Sequence, residues 1–240
     1  MIIARYNETF LQENTYVIVP DGGTHALVVD PGAGSTGWVH NYLAERGLEL
    51  GAVLITHGHP DHIWEAGSVA GSAQVYIGEP DLERLNDPLA LSTMPGMKLG
   101  LTRMGNEEWI KPEHFEAVPA QAFTSGWEVI PNLWIRAVAA PGHSKGSTLY
   151  YFEGKVEEAF SPDLVHPDED RAYLLSGDVL FAGSIGRTDL LGSDEREMIS
   201  TLRLMVNVIK PDVYVFPGHG PHTSMFHEVR HNPYLHQAMS

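Results

Sequence analysis

The stretch HGHPDH, residues 57–62, places three imidazoles and one carboxylate within six consecutive positions. It follows a short apolar segment, AVLIT at residues 52–56, which the pattern predicts to be a buried strand. Imidazole nitrogens bind zinc, iron and similar cations, and a carboxylate adds the negative charge that a second cation requires. Packing alone rarely concentrates four such side chains. The stretch therefore predicts a metal site at the end of a sheet strand, held rigidly yet open to solvent.

The composition of the chain restricts the kinds of protein in which this stretch can occur. The chain has 240 residues, 43% hydrophobic and 19% charged, so we expect one globular domain over residues 1–240. It contains no cysteine, so metal ligands must be nitrogen or oxygen donors, and a cytoplasmic location is expected. The sequence shows neither a signal-peptide pattern nor an apolar run of roughly 18 residues, so no membrane partner is expected.

The formal net charge of −16 argues against a nucleic-acid partner, because an acidic surface repels phosphate backbones. Two bound divalent cations would offset only about four of those charges. An anionic substrate would therefore need local compensation from the metals or from a nearby Arg or Lys. No feature of the sequence indicates an oligomeric state.

Strands alternate with helices in the first third of the chain, which predicts a layered α/β fold. Helices are expected between Ser35 and Arg46, ending at Gly47, then at about residues 63–69, and over residues 195–208. The strands that the pattern predicts lie at residues 2–6, 15–19, 26–29, 52–56, 74–77, 133–138, 147–152, 173–176 and 213–216.

Two segments break this regular pattern. Residues 86–125 contain NDP, MPGM and PEH interruptions and the apolar side chains of Met94, Met97 and Trp109. They predict a long irregular loop, which is either a lid or binding loop or a decorated edge of the domain. Residues 154–171 are acidic and predict a mobile insert.

Three further turns repeat the logic of the histidine stretch. They are PGHS at residues 141–144, SGDV at 176–179 and PGHG at 217–220, each placed after a predicted strand. Glycine beside a ligand lets the backbone approach an ion closely. One such turn would be weak evidence, because a histidine in a Pro-Gly turn is usually a surface residue. Four in one cysteine-free chain are strong evidence together, and they suggest two similar halves that meet at one site.

The complete set of turns resembles a known family. Residues 57–62, with His143, Asp178 and His219, resemble the ligand pattern of the metallo-β-lactamase fold of hydrolases. The stretch GDVLFAGSIGRTD at residues 177–189 is similar to glyoxalase II (hydroxyacylglutathione hydrolase), especially its short single-domain bacterial members. The resemblance covers nearly the whole chain and implies an α/β fold, a four-layer αββα sandwich. The ligand pattern is specific for the fold and much less specific for the substrate.

The resemblance also implies a role for each ligand. The expected cofactors are two divalent cations, zinc first, with iron or manganese as alternatives. Asp178 would bridge the two ions, and the remaining ligands would divide into His57, His59 and His143 for one ion and Asp61, His62 and His219 for the other.

Such a pair of cations accounts for a hydrolytic reaction on chemical grounds. Two neighbouring cations share a water molecule and lower its pKa, from ~15.7 in bulk water towards ~7 at a single zinc. The bridging hydroxide would attack a thioester carbonyl, with Asp61 and Asp178 as the two catalytic carboxylates and Asp61 orienting the hydroxide. The implied substrate is a small hydroxyacyl-thiol thioester such as S-lactoylglutathione. No protein nucleophile is required.

Four residues outside the ligand set are candidates for support or substrate binding. Asp30 either accepts an N–H from a ligand histidine or caps a turn. Lys145 either meets an anionic group of the substrate or is a solvated surface residue. Arg187 would pair with Asp189 and brace the Asp178 turn, and His222 would line the mouth of the site.

Larger glyoxalase II enzymes carry a C-terminal helical domain that supplies glutathione-binding side chains. The sequence from His219 to Ser240 is too short for that domain. We therefore expect thiol recognition to come from elsewhere, such as residues 86–125. A thiol carrier other than glutathione would fit as well.

Three alternative functions stay open. A persulfide dioxygenase shares the histidine stretch and the GRTD segment but holds one iron, here through His57, His143 and Asp178. Residues 217–220 argue against it, because they resemble a second-metal turn. A β-lactamase is disfavoured because zinc lactamases lack a bridging carboxylate at the position of Asp178. A non-catalytic metal-binding module belongs to a different class, and the complete ligand set leaves little reason for it.

Overall fold

The computed structural model describes residues 1–7, 11–90, 92 and 95–240. Two β-sheets pack face to face, and helices cover the outer face of each sheet. This is the four-layer αββα sandwich of class α/β that the family resemblance implies. The strands of the first sheet, in the order in which they pair, are β10 (Glu158–Ala159), β1 (Ile2–Asn7), β2 (Asn14–Val19), β3 (His25–Val29), β4 (Glu49–Ile55), β5 (Gln74–Ile77) and β6 (His114–Ala117).

The second sheet and the helices come mainly from the second half of the chain. In pairing order its strands are β13 (Thr223–Ser224), β12 (Tyr214–Pro217), β11 (His166–Gly177), β9 (Thr148–Val156), β8 (Leu133–Ala139) and β7 (Trp127–Ile130). No helix among the described residues is long and apolar enough to cross a membrane. The helices are α1 (Ser35–Arg46), α2 (Pro60–Ile63), α3 (Ala66–Ala70), α4 (Met97–Met104), α5 (Glu195–Val208), α6 (Met225–His231) and α7 (Pro233–Met239).

Alternation along β4 divides its apolar side chains between two cores. Leu54 belongs to the core between the sheets, together with Tyr150 and Phe216 of the second sheet. Val53 and Ile55 belong to the core beneath α1 and α3. Successive strand residues point to opposite faces, so β4 is buried on both sides. It pairs in parallel with β3 and β5, and such central strands are usually apolar throughout.

Helix α5 covers the outer face of the second sheet, over the residues that the sequence predicts. It begins after Asp194, whose carboxylate accepts the backbone N–H groups of Arg196 at 2.7 Å and Glu197 at 3.0 Å. Such an N-cap satisfies donors that the first helical turn leaves without partners. Met198 and Leu202, one turn apart, bury one stripe of the helix against the sheet.

The strands that carry the metal-capable turns end at one edge of the sandwich. β4 ends just before His57, β11 just before Asp178 and β12 just before His219. The backbone N–H of Thr148 donates to the carbonyl of Thr56 at 2.9 Å, which ties the second sheet to the first at this edge. Side chains that are far apart in the sequence therefore meet here.

The helix expected at about residues 63–69 is in fact two shorter helices, α2 and α3. Proline fits the first helical turn, so α2 begins at Pro60. The break falls at Glu65, whose buried carboxylate accepts the backbone N–H groups of Thr36 at 2.6 Å and Asn106 at 2.9 Å. Helical periodicity does not reveal a carboxylate that serves distant backbone groups.

The segment 86–125 is not one irregular loop, because it contains α4 and β6. Strand β6 pairs in parallel with β5 at the edge of the first sheet, so part of the segment decorates an edge. Its four residues alternate between exposed and half-buried positions, which leaves little apolar pattern to recognise. Met97, at the start of α4, lines a cavity at the metal-capable turns, so another part belongs to the site. Met94 lies outside the described residues.

The prediction of a mobile acidic insert at residues 154–171 is wrong. The segment contains the end of β9, all of β10 and the start of β11, and His166 pairs with Val156 across β9 and β11. Val156 and Leu164 are buried, whereas the acidic side chains are exposed. Backbone pairing does not depend on side-chain charge, so an acidic run indicates exposure to solvent rather than the absence of a strand.

Candidate metal centre

Three histidines converge where β4 ends and where β8 turns into β9. His59 Nδ1 lies 2.7 Å from His143 Nε2 and 3.1 Å from His57 Nε2, and the two Nε2 atoms are 3.2 Å apart. All three side chains are buried. We call these residues the first triad.

The first triad is electrically neutral at neutral pH. Burial lowers the pKa of each histidine, to about 3 for His59. His143 Nδ1–H donates to the carbonyl of Arg187 at 2.8 Å, and His57 Nδ1–H donates to the hydroxyl of Thr56 at 3.1 Å, a hydroxyl that itself donates elsewhere. The Nε2 lone pairs of these two rings therefore point at the shared centre. Neutral imidazoles with converging lone pairs fit a divalent cation.

A second group of metal-capable side chains lies beside the first triad. His219 Nε2 is 3.3 Å from Asp61 Oδ2 and 3.1 Å from His62 Nε2. The outer nitrogens are also engaged: His62 Nδ1 is 3.0 Å from an oxygen of Asp30, and His219 Nδ1 is 2.9 Å from the carbonyl oxygen of Leu11. We call Asp61, His62 and His219 the second triad.

The second triad differs from the first because it binds protons tightly. Burial alone lowers the pKa of His62 and His219, but the carboxylates of Asp178 and Asp61 outweigh it, raising the pKa of His219 to about 11 and that of His62 well above its usual range. Burial raises the pKa of Asp61, and the two histidines lower it further than burial raises it. Without a metal, this half of the site therefore pairs imidazolium with carboxylate.

Asp178 lies between the two triads. Its Oδ1 is 3.3 Å from His62 Nε2, and its Oδ2 is 3.4 Å from both His143 Nε2 and His219 Nε2. Burial raises its pKa, but His219 and His62 lower that pKa well below the usual range. Among the described residues, Oδ1 makes no hydrogen bond of good geometry although it is buried. An ionised carboxylate that contacts both groups is suited to bridge two cations.

Two glycines allow this close approach. Gly177 has φ of 48°, a left-handed conformation that glycine adopts easily, and a Cβ there would lie 2.4 Å from Thr56 Oγ1. A Cβ at Gly218 would lie 2.3 Å from Asp178 Oδ1. Any larger side chain at either position would displace the turns that carry the cluster.

Comparison with known proteins assigns this fold to a family. A model of the metallo-beta-lactamase superfamily matches residues 9–158. The chain belongs to this superfamily. The probable metallo-hydrolase YqgX of Bacillus subtilis is 30% identical over 229 residues, which cover 94% of this chain and 93% of that protein. The hydroxyacylglutathione hydrolase GloC of Haemophilus influenzae is 27% identical over 95% of this chain and 94% of that protein.

Two solved structures share the superfamily fold over almost the whole chain. BLEG-1, a B3 metallo-β-lactamase, has a TM-score of 0.73 and 27% identity, covering 98% of this chain and 99% of its own. TTHA1623, solved in a di-iron-bound form, has a TM-score of 0.70 and 26% identity, covering 96% of this chain and 98% of its own. The superfamily fold and the cluster of histidines and aspartates together indicate divalent metal binding.

In this superfamily member, Asp30 contacts residues next to or within both triads on the side away from the shared centre. Its carboxylate accepts the backbone N–H of Thr56 at 2.7 Å and the Thr56 hydroxyl at 2.6 Å, and it lies 3.0 Å from His62 Nδ1. Its own φ of 48° is uncommon outside glycine, and such conformations persist where the surroundings determine them. The position matches the alternative in which Asp30 accepts an N–H from a ligand histidine.

Asp81 has a comparable role that the sequence did not reveal. Only 1% exposed, it accepts the backbone N–H of Gly58 at 2.8 Å, the Ser144 hydroxyl at 2.7 Å and the backbone N–H of Gly146 at 3.1 Å. Arg84 Nε is 3.4 Å from the same carboxylate. Asp81 therefore ties two ligand turns together. The available signal was that β5 ends beside β4, so a polar residue after it reaches the same edge.

Glu13 is a second buried carboxyl group that the sequence did not reveal. Burial raises its pKa well above the usual range although nearby His62 opposes the shift. Its Oε2 lies 3.3 Å from the Thr15 hydroxyl, which donates to the carbonyl of Asp30 at 2.8 Å. The backbone of Glu13 also pairs with that of His219. A carboxyl group whose burial favours its protonated form therefore lies close to the second triad.

The remaining candidates lie in different surroundings. Lys145 is exposed, and the His222 side chain is 2.9 Å from Asp163 Oδ2; neither lines the cavity at the cluster. Proximity to a ligand in the sequence does not fix the direction in which a side chain points. Arg187 does line the cavity, and its guanidinium makes two hydrogen bonds of 2.8 Å to Asp189, the pairing that the sequence predicts.

A cavity of about 220 Å³ opens above the cluster. Side chains of both triads and Asp178 form part of its wall, so a bound molecule would contact the candidate ligands directly. The other lining residues are Leu11, Pro60, Ser92, Met97, Phe181, Ile185, Arg187 and Leu190.

Proposed function

We propose that the protein is a binuclear metallohydrolase that cleaves a hydroxyacyl-thiol thioester. The observation that carries the proposal is the pair of triads joined by Asp178 at the wall of a cavity of about 220 Å³. Ligand atoms within each group of three lie within 4.8 Å of one another, which is close enough to surround one ion. The likeness to GloC, a hydroxyacylglutathione hydrolase, supports the choice of a thioester.

The proposed ligand set follows the geometry. His57, His59 and His143 would hold one cation, Asp61, His62 and His219 the other, and Asp178 both. When bound, the cations would polarise the thioester carbonyl and acidify a water molecule. Nitrogen and oxygen donors of this kind suit zinc, iron or manganese. We place zinc first, and the di-iron form of TTHA1623 supports iron as an alternative.

The chain's own groups would position water and receive protons. Asp61 lines the cavity and is held ionised by two histidines, so its carboxylate can accept a hydrogen bond from water and orient it. Water adds to the thioester carbonyl carbon, the carbon–sulfur bond breaks, and the products are a carboxylic acid and a thiol. No cysteine is present, and Ser92 is the only hydroxyl side chain among the described lining residues, so the cavity offers few candidate protein nucleophiles. Direct attack by water requires none.

The direct test measures thiol release from a lactoyl thioester by the metal-loaded protein and by Asp178→Asn. The variant keeps the shape of the side chain and removes its charge, so we expect the fold to persist, as circular dichroism would establish, while hydrolysis is lost. Full activity in Asp178→Asn would contradict the bridging role.

The same metal-loaded sample separates the alternatives. Consumption of dioxygen with a thiol persulfide, without thioester hydrolysis, would replace the proposal with the dioxygenase. Hydrolysis of a β-lactam alone would favour the activity named for BLEG-1. Stoichiometric metal with neither activity would favour a non-catalytic metal-binding module.

A further inference from the structure

The cavity above the cluster is apolar on the side away from the candidate ligands. Its wall there is formed by Leu11, Met97, Phe181, Ile185 and Leu190. Water forms no hydrogen bonds with these side chains, so an apolar substrate group that displaces it is favoured in proportion to the apolar area buried. This part of the wall therefore selects for the chemistry of the portion of the substrate that does not react.

Apart from the cations that the proposed ligands would hold, the side chains of the cavity offer little positive charge to an anionic substrate. Arg187 is the one Lys or Arg among the described lining residues, and its Nε and Nη2 donate to the Asp189 carboxylate, which offsets its charge. The undescribed neighbours in the sequence, at positions 8–10, 91, 93 and 94, are ETF, L, T and M, and none is basic. The whole chain carries a formal charge of −16. A negatively charged thiol arm would therefore find little compensating charge on the wall away from the candidate ligands.

A second cavity adjoins the first. It measures about 510 Å³ and shares Ser92 and Met97 with the first cavity. We call it the α4 groove; Leu99, 55% exposed, and Lys98 contribute to its wall. Lys98 lines only the groove, so its positive charge lies beyond Met97 and not beside the metal cluster. The other lining residues of the groove are Leu89, Gly96 and Thr102.

We propose that the preferred substrate is a thioester of an extended, apolar thiol, whose arm crosses Met97 and lies in the α4 groove. This inference rests on the proposed thioester hydrolysis and specifies its substrate class. The arm is uncharged where it passes the metal cluster. Glutathione, a compact thiol with two carboxylates, is then a poorer carrier than a neutral alkanethiol with the same acyl group.

The first test compares kcat/KM for lactoyl thioesters of straight alkanethiols of increasing length with that for S-lactoylglutathione. Each methylene that enters the apolar wall is expected to raise kcat/KM about fourfold until the groove is filled. We expect the best alkyl thioester to exceed the glutathione thioester by about tenfold or more. A tenfold preference for glutathione would overturn the inference and leave thioester hydrolysis standing. Hydrolysis of no thioester would overturn both.

A matched pair of variants tests the cavity wall. Leu190 lines the first cavity, whereas its neighbour Leu191 is 54% exposed and does not. Leu190→Lys should lower the ratio of alkyl to glutathione activity about tenfold, because it removes apolar surface and adds a cation. Leu191→Lys should leave the ratio unchanged. Equal ratios in both variants would show that the wall does not select the thiol.

A binding measurement tests the groove independently of catalysis. Thioethers cannot be hydrolysed, so calorimetry with S-alkyl thioethers on the metal-loaded protein reports binding alone. Leu99→Ser should weaken the binding of a long-chain thioether several-fold and leave the binding of a short one unchanged. Leu204 is an exposed leucine on α5, and Leu204→Ser should affect neither affinity. Equal losses for both chain lengths, or no loss, would overturn the assignment of the groove.

Discussion

The two triads of the metal centre are neighbours with opposite electrostatics. The first triad consists of three buried imidazoles whose pKa values are lowered, to about 3 for His59. The second contains a carboxylate, and the pKa of His219 is raised to about 11. The first is therefore ready for a cation at neutral pH, whereas a cation must displace protons from the second. Position in the fold, and not residue type alone, sets this difference, since both groups contain histidine.

The largest expected effect comes from removing one ligand of the second triad. His219→Ala should retain one metal equivalent, because the first triad is intact, and lose at least about 10³-fold in thioester hydrolysis, because a second ion would no longer help to polarise the carbonyl and acidify the water. Metal analysis and the thiol-release assay on one sample check both outcomes. His59→Ala is the comparison variant, and it should bind metal more weakly in the first triad. Two equivalents in His219→Ala would contradict the division into triads.

The next effect is the pH dependence of metal binding. A cation at the second triad displaces protons from His62 and His219, so its affinity should fall up to about a hundredfold for each pH unit of acidification, tenfold for each proton released. The neutral first triad releases none, so its affinity should stay flat between pH 8 and pH 6. Zinc calorimetry in buffers of different ionisation enthalpy counts the protons. Equal slopes for the two equivalents would contradict the comparison.

Removing a supporting carboxylate should have a smaller effect, confined to the first triad. Asp81→Asn keeps the size of the side chain but weakens its bonds to the turns of His57 and His143, so first-equivalent affinity should fall about 10–100-fold. Asp87→Asn, on an exposed turn, is the matched control. A similar loss at the second equivalent alone would place the support elsewhere.

The smallest effect concerns the stability of the metal-free protein. Between pH 6.5 and pH 4 the unfolded chain binds a proton at His59 but the folded chain does not. The free energy of unfolding therefore falls by about 1.4 kcal/mol for each unit by which the pH is lowered, for one such group. Above pH 6.5 the folded chain keeps the proton on His219 that the unfolded chain loses, so stability falls as pH rises towards 11. Denaturant unfolding against pH should therefore show a maximum near pH 6.5. His59→Gln should flatten the acidic limb and His219→Gln the alkaline limb.

The sequence predicts the layered fold and the candidate ligands because each of these signals is local. Residues 57–62 contain four candidate ligands in one turn, and the other turns each place a glycine beside a histidine or aspartate. The sequence does not predict the contributions of Asp81 and Glu13, because they depend on which strands end beside each other in the fold. Strand β6 escapes as well, since it owes its place to pairing with β5 and not to its own pattern. His222 was misplaced because its side chain turns to Asp163 and away from the cavity.

Under the proposed function, thioester hydrolysis needs a cation in both triads. The most direct measurement adds zinc in fractions of an equivalent to metal-free protein and follows hydrolysis of a lactoyl thioester at pH 7.5. We expect almost no activity up to one equivalent, because the neutral first triad fills first, and a linear rise between one and two equivalents. Full activity at one equivalent, with no further change on adding the second, would contradict it.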